Sequence, residues 1–416
     1  MTITELRPGP DNAGRTDTTP GTDPTPPTLD GIRASVTPVL ARLAVTAAER
    51  ESRRDHAVAD VQALAAAGIA LAGVDVADGG AGGSLREVAD LIIEIAYADS
   101  SVAQALRGTF LIAHQATFRP DLPRRDEVLA RLRHRDLFAG TANERTGGAS
   151  GSVRTTARRD SGGWIINGEK YYSTGQLYAT WFGAQAATED GSVIRFTVPV
   201  DRAGVEVLDD FDAVGQRLTA SGTTRLTDVR VTDDEVVVAG PDTPDNPWPG
   251  AFAQLYLAAV QAGIAARARE DAIDFTRTRA RPIKHSSVAS SVDDPYVRHT
   301  VGEIAARAQA ARAVVLLAAE ELDRTRGLTG DAARRAGAAA AVHVAQAGTV
   351  AIESSLRAAE LLFDVGGGTI TNREFGLDRH WRNARTVANH NPRQWKLAVA
   401  GAYHLTGEDP PTTGLF

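Results

Sequence analysis

The stretch Asn167-Gly-Glu-Lys-Tyr-Tyr-Ser-Thr-Gly175 joins a turn signal to a run of aromatic and hydroxyl residues. Asn-Gly between alternating residues predicts a hairpin, and Asp160-Ser-Gly-Gly163 just before it predicts another tight turn. Outward from this pair, from Leu137 to about Val238, short runs of β-branched and aromatic residues recur between turn signals. Ser192–Val200 and Thr223–Val231 alternate as half-buried strands do. A central β domain over residues 137–240 is expected.

Both flanks read differently. From Leu29 to about Arg135 apolar residues recur at three- and four-residue spacing, as in Ile32, Val36, Val39, Leu40 and Leu43, interrupted by the loop Asp78-Gly-Gly-Ala-Gly-Gly-Ser84. This predicts an N-terminal helical domain over 29–136. Past a Pro-rich join at Pro241–Pro249, residues 250–360 are dense in alanine, an excellent helix former that lets helices approach closely. A break follows at Asp364-Val-Gly-Gly-Gly-Thr369, then a final helix near 391–404. A C-terminal four-helix bundle over 241–408 is expected. Residues 1–28, rich in Pro, Thr, Asp and Gly, read as a disordered tail, and 409–416 as a short C-terminal tail. The class is α+β, mostly α.

Composition narrows the function. At 416 residues the chain is long enough for two or three packed domains. The net charge of −7 gives no basic field for nucleic acid or an anionic membrane. With no cysteine, disulfides, thiolate metal sites and cysteine nucleophiles are excluded. No apolar run approaches the ~20 residues that span a bilayer, and the first thirty residues carry no secretory pattern, so a cytoplasmic location is expected. The nine histidines are scattered, with no HExxH, so no metal site is expected.

Three motifs carry the chemistry. Gly366-Gly-Gly368 lacks the lysine and spacing of a phosphate loop and reads as a helix C-terminal break. The segment Leu377–Arg393 concentrates four Arg, two His, three Asn and a Trp, which favours a ligand site over a structural ion-pair network. Asn143-Glu-Arg-Thr-Gly147 and Tyr171-Tyr-Ser-Thr-Gly175 put hydroxyls and amides at strand ends, where a flat heteroaromatic cofactor takes hydrogen bonds and where strands also simply terminate.

Taken together, the segments resemble the acyl-CoA dehydrogenase superfamily: helical domain, central β-barrel or sandwich domain, C-terminal four-helix bundle. The pieces Asn167–Gly175, Val214-Gly-Gln-Arg-Leu-Thr-Ala-Ser-Gly-Thr223, Arg277-Thr-Arg-Ala-Arg-Pro282 and Leu377–Lys396 are most similar to one branch. That branch is the two-component flavin monooxygenases of the dibenzothiophene-monooxygenase and sulfur-acquisition type. Acyl-CoA dehydrogenation needs a carboxylate base. No Asp or Glu occurs between Arg379 and Gly407 or between Asn246 and Arg269, the two segments where the dehydrogenases keep theirs.

The resemblance implies a C4a-(hydro)peroxyflavin that oxygenates a small organosulfur compound. Reduced FMN, with FAD as the alternative, would come from a separate NAD(P)H:flavin reductase, and O2 would be the co-substrate. Oxygenation at nitrogen or aromatic carbon, an acyl-CoA dehydrogenase-like activity and a degenerate binding fold are the competing readings. By the same resemblance His390 assists the peroxide and Thr174 offers a hydroxyl near the flavin N5–C4a edge. Thr141 and Asn143 contact the ring, with Phe211 and Ser221 beside it. Arg281 meets the flavin phosphate across the interface of a homotetramer, and Gly367 and Thr369 lie in a second phosphate-contact stretch. Two departures stand out. Thr109 occupies a position where relatives carry a flavin-facing His, with His114 as a nearby substitute. Thr369 stands where relatives carry an Arg, the nearest here being Arg373.

Overall fold

The computed structural model describes residues 26–145, 153–238 and 250–412. Most of the expected N-terminal tail, the Pro-rich join, Thr146 and Gly147, and the last four residues lie outside them.

The chain begins with α1 (Leu29–Arg53), whose first turn is capped by the Thr28 hydroxyl accepting from Gly31 N at 3.1 Å. Its residues Ile32, Val36, Val39 and Leu43 are buried as one stripe. α2 (Val58–Ala66) follows, and the glycine-rich segment is a loop, as expected. α3 (Leu85–Ala98) starts at a capping box between Ser84 and Glu87. Asp99 ends α3 and caps α4 (Ser100–Ala105) through the Ser101 and Val102 amides. α5 (Arg107–Phe118) continues almost directly, and α6 (Arg125–Arg133) closes the helical part.

Eight strands form one sheet: β1 (Phe138–Thr141), β2 (Thr156–Asp160), β3 (Gly163–Lys170), β4 (Trp181–Thr188), β5 (Val193–Pro199), β6 (Val205–Val207), β7 (Thr224–Val231) and β8 (Val236–Val238). The order is β6-β7-β3-β2-β4-β5-β8, with β1 paired parallel to β4. Ser161-Gly162 is the hairpin turn between β2 and β3, as expected. Asn167-Gly168 is not a turn: it lies inside β3, where the pairing with β7 shifts register between Ile166 and Gly168. Gly168 has φ +157°, and a Cβ there would sit 2.6 Å from the Thr155 hydroxyl, so the dipeptide makes a β-bulge. The Asn167 side chain fixes the bulge by accepting from Asp228 N at 2.8 Å.

Three long helices make the C-terminal part: α7 (Ala251–Thr278), α8 (Pro295–Asp323) and α9 (Gly330–Leu361). From Leu255 to Ala265 every residue of α7 is buried, so it is the central helix of the bundle. The fourth position is shared by α10 (Arg379–Ala388) and α11 (Arg393–Thr406), both against α9. α3 packs on α7 and α8 and ties the N-terminal helices to the bundle. No helix among the described residues is long and apolar enough to cross a membrane.

Candidate functional site

The candidate site residues fall in two groups, one where the ends of β1, β3 and β7 meet the α4–α5 junction and one at the α10–α11 turn. Lys170, at the end of β3 and fully buried, is ion-paired to Glu144 at 2.6 Å. Glu144 also accepts from the Thr155 amide and hydroxyl at 3.0 and 2.8 Å, which fixes the chain just past β1. Tyr171 N then donates to Asn143 O at 2.9 Å and Ser173 N to Gly222 O at 3.3 Å. Thr141, Asn143, Thr174 and Ser221 are thereby brought onto neighbouring segments. Phe211, 6% exposed, packs edge-on against Tyr172 of the same loop.

The loops after β3 and before β7 are held in sparsely populated backbone. Tyr172 (φ +60°), Gln216 (φ +56°) and Ala220 (φ +50°) are left-handed without being glycine, a conformation that costs about 1 kcal/mol or more each. Gly175, at φ +85°, lies so close to α4 that a Cβ would meet Ala105 O at 2.3 Å. The hydroxyls form a directed chain. Thr219 donates to Gln216 O at 2.9 Å, so Ser221 donates to Thr219 at 2.7 Å and Thr174 donates to Ser221 at 2.8 Å. The one other acceptor for Thr174 among the described residues, Tyr172 O, is 3.5 Å away and too long to compete. Thr174 therefore turns lone pairs, not a proton, outward.

His390 lies in the turn between α10 and α11. Its Nδ1 is 2.9 Å from Asn391 Oδ1, which also accepts from Gln254 Nε2 at 3.3 Å. A carbonyl oxygen cannot donate, so Nδ1 carries the proton and Nε2 is left as an acceptor. Lys396 Nζ completes the row by donating to Gln254 Oε1 at 2.7 Å. His390 is exposed at the surface of the chain. Desolvation by the surrounding atoms first, and the Arg107 charge second, push its pKa down to about 4. Burial likewise brings Lys396 down to about 8.

Other expected site residues lie apart. Arg281 is exposed on the loop after α7, and Gly367 and Thr369 are exposed in the 3₁₀ turns after α9. Within one chain these three do not join Thr174 and His390. Thr109 is 1% exposed and bonded to the Phe138 backbone through its hydroxyl, at 2.8 and 3.2 Å, so it splices α5 to β1. His114 stacks on Phe252 (4.1 Å between centroids) and Phe118, with Nδ1 lacking a partner. The Arg-rich segment divides. Arg379 and His380 pair with Asp271 at 3.0 and 2.6 Å, and Arg382 pairs with Glu51 and Asp378 at 2.5 and 2.8 Å. That half is an ion-pair network, and its end, His390 and Asn391, belongs to the site.

A flavin fits the groups left over. Thr141 Oγ1, Ser173 Oγ and both amide atoms of Gln176 are buried without hydrogen-bond partners. Such groups cost about 1–3 kcal/mol each when unpaired. A flat ring edged with alternating donors and acceptors has the groups that would pair them. No group of His, Asp or Glu among the described residues could hold a metal ion.

Fold and site thus define an acyl-CoA dehydrogenase-like protein. Residues 139–229 match the acyl-CoA dehydrogenase middle domain and residues 255–395 its C-terminal domain. A dibenzothiophene monooxygenase of Mycolicibacterium goodii is 30% identical over 383 residues, covering 88% of this chain and 91% of the relative. A probable FMNH2-dependent monooxygenase, SfnC of Pseudomonas putida, is 30% identical over 379 residues, covering 89% and 93%. The crystal structure of FMN-bound TdsC from Paenibacillus sp. A11-2 superposes with a TM-score of 0.83 at 27% identity, covering 92% of this chain and 100% of that one. The chain belongs to the acyl-CoA dehydrogenase superfamily, in its branch of flavin-dependent monooxygenases that includes dibenzothiophene monooxygenase.

Proposed function

We propose that this protein oxygenates a small organosulfur compound with reduced FMN, received from a separate NAD(P)H:flavin reductase. The observation that carries this reading is the Asn391-fixed His390, neutral above about pH 4, in a segment with no Asp or Glu from Arg379 to Gly407. The balance is substrate + O2 + FMNH2 → oxygenated substrate + FMN + H2O. When bound, reduced FMN would supply the electrons that activate O2.

The chain's residues provide the surroundings for that chemistry. Thr174, offering lone pairs, accepts from an N–H such as that at N5 of the reduced ring; the oxidised ring has no proton there. His390 Nε2, left as an acceptor, would take a hydrogen bond from a protonated oxygen of a bound reactant. Thr141, Ser173 and Gln176 satisfy polar edges of the ring, and Phe211 covers an apolar one. The exposed Arg281 suits a phosphate held between two copies of the chain, in keeping with a homotetramer.

The test mixes protein and photoreduced FMN with 18O2-saturated buffer and a panel of sulfides and sulfinates. The expected result is a transient flavin–oxygen adduct outliving that of free flavin, and one 18O atom in a sulfur product. Reoxidation at the free-flavin rate with only hydrogen peroxide formed, for FMN and FAD alike, would refute the reading. Label found in amines or phenols instead would move the oxygenated atom, and bleaching of bound flavin by an acyl-CoA without O2 would restore a dehydrogenase.

A further inference from the structure

Lys396, Gln254 and Asn391 are all buried and line one small cavity between α7, α9 and α11. The stem of Lys396 crosses Gly348 of α9, where a Cβ would stand 3.5 Å from the lysine Cδ, so the side chain lies along the bundle. Its Nζ donates to Gln254 Oε1 at 2.7 Å, and Gln254 Nε2 donates to Asn391 Oδ1 at 3.3 Å. His390 Nδ1 meets the same Asn391 oxygen at 2.9 Å. One continuous row of hydrogen bonds thus joins a buried ammonium to the ring of His390.

The row has a direction, and the lysine sets it. A side-chain amide can turn over and exchange its oxygen for its nitrogen, so Gln254 and Asn391 fit a row running either way. A neutral imidazole can likewise carry its proton on either nitrogen. Lys396 has a pKa of about 8 and is an ammonium at neutral pH, with donors and no acceptor. It requires the oxygen of Gln254, which turns Gln254 Nε2 toward Asn391. That N–H requires the oxygen of Asn391, and an oxygen there takes its second hydrogen bond from His390 Nδ1–H. The first link is charge-assisted and the shortest of the three, so the direction is imposed from the lysine end. An uncharged stem of similar length, such as methionine, would fill the same space and leave the row free to run either way.

We propose that Lys396 is a positioning residue: through Gln254 and Asn391 it sets which nitrogen of His390 carries the proton, and so whether Nε2 offers a lone pair or an N–H. Its part in oxygen transfer rests on the monooxygenase reading, while the tautomer is read without turnover. The full-length protein, labelled with 15N-histidine, is examined by NMR near neutral pH, where protonated and unprotonated ring nitrogens resonate far apart. His390 is assigned by the loss of its signals in His390→Gln.

In the wild type the Nδ1–H form should outnumber the Nε2–H form about 10-fold or more, the worth of one good hydrogen bond. Lys396→Met should lower that ratio roughly 10-fold, toward the Nε2–H form that histidine favours in water. Lys396→Arg keeps a donor-only cation and should retain the wild-type form. Gln254→Glu should reverse it. A carboxylate accepts from Lys396 but cannot donate to Asn391, so the Asn391 amide turns its nitrogen inward and His390 becomes Nε2–H. Product formed per flavin oxidised should follow the tautomer, falling roughly 10-fold in Lys396→Met and Gln254→Glu and recovering in Lys396→Arg.

An Nε2–H ring in the wild type overturns the proposal without any variant having to fold. An Nδ1–H ring that persists in Lys396→Met or in Gln254→Glu overturns it too, and product yields indifferent to the tautomer remove the positioning role. The expected tautomers in a protein that transfers no oxygen would uphold the row and refute the monooxygenase reading alone.

Discussion

Nδ1 of His390 donates to Oδ1 of Asn391 across 2.9 Å, and Gln254 donates to the same oxygen from the other side. The shared acceptor fixes the tautomer of a histidine that is neutral from about pH 4 upward. His390→Ala is expected to lower the yield of oxygenated product per flavin oxidised by roughly 10²-fold, the usual range for a proton-handling residue. The lost product is replaced by hydrogen peroxide. Asn391→Leu removes the fixing bond while leaving the ring, and should cost roughly 10-fold, since the ring then exchanges tautomers. Quantifying product and peroxide side by side checks both, and equal coupling in Asn391→Leu would remove Asn391 from the mechanism.

The directed hydroxyl chain Thr174 to Ser221 to Thr219 makes a separate prediction. Ser221→Ala leaves the Thr174 hydroxyl without its acceptor and free to turn its proton outward. Reduced FMN, with a proton at N5, should then bind roughly 5- to 10-fold more weakly, in line with the loss of one hydrogen bond of about 1 kcal/mol. Oxidised FMN should change less or bind slightly better. Anaerobic fluorescence titration of both redox states decides it, and equal losses in both states would make Ser221 a packing residue only.

How far the sequence carries to this point differs by element. The helical flanks and the strands Val193–Pro199 and Thr224–Val231 are legible because burial imposes their apolar period directly. Asn167-Gly168 misleads because a bulge and a turn both need a glycine-tolerant backbone, and only the pairing of β3 with β7 separates them. The Arg-rich segment reads as one cluster, yet helical geometry sends Arg379 and His380 toward Asp271 on α7 and leaves His390 past the helix end. Ser221 and Phe211 are reached only by resemblance, whereas Thr174 already stands in the Tyr171–Gly175 run of hydroxyls, which reads equally as a strand end. Gln254 and Lys396 are missed altogether. Their trace is composition: a cation or amide at a core-facing helical position with no acid three or four residues away.

The ion-pair half of that segment should behave as structure. Burial alone would raise the Asp271 carboxyl, but the His380 hydrogen bond and the Arg379 and Arg267 charges outweigh it and hold it well below the usual carboxylate range. Asp271→Ala strands two guanidinium groups, Arg379 being 7% exposed. A loss of about 3 kcal/mol or more is expected from breaking a buried pair on one side. Urea unfolding should show the lower midpoint, while coupling of oxygen transfer in the folded fraction stays near wild type. Normal stability with lost coupling would instead return this half of the segment to the site.

Gly175 tests whether the loop against α4 is rigid by necessity. Alanine there adds a Cβ 2.3 Å from Ala105 O at a backbone φ of +85°. Neither the helix backbone nor the loop can yield without moving Thr174 or Arg107. Gly175→Ala should therefore cost about 2 kcal/mol or more of stability and weaken FMN at least 10-fold in the molecules that still fold. Near-wild-type FMN affinity would mean that the loop has an alternative seat.

His114 supplies the pH dependence. Burial first, and the Arg326 charge second, lower its pKa to about 3 from an ordinary 6.5, so the folded protein keeps it neutral while the unfolded chain takes up a proton. Stability is thus complete above about pH 6.5 and falls as the pH drops from there toward 3, because the unfolded state binds the extra proton in that window. At pH 5 the loss from this residue is about 2 kcal/mol. His380 and His390, both lowered to about 4, add a loss of the same sign. His114→Phe preserves the stack on Phe252 and Phe118 and has no proton to gain. Its melting temperature should therefore decline less than that of the wild type between pH 7.5 and 5. Because the ring is locked between two phenyl groups, the same variant should still couple oxygen transfer near the wild-type level. A large loss of coupling would give His114 the flavin-facing part that Thr109 does not take.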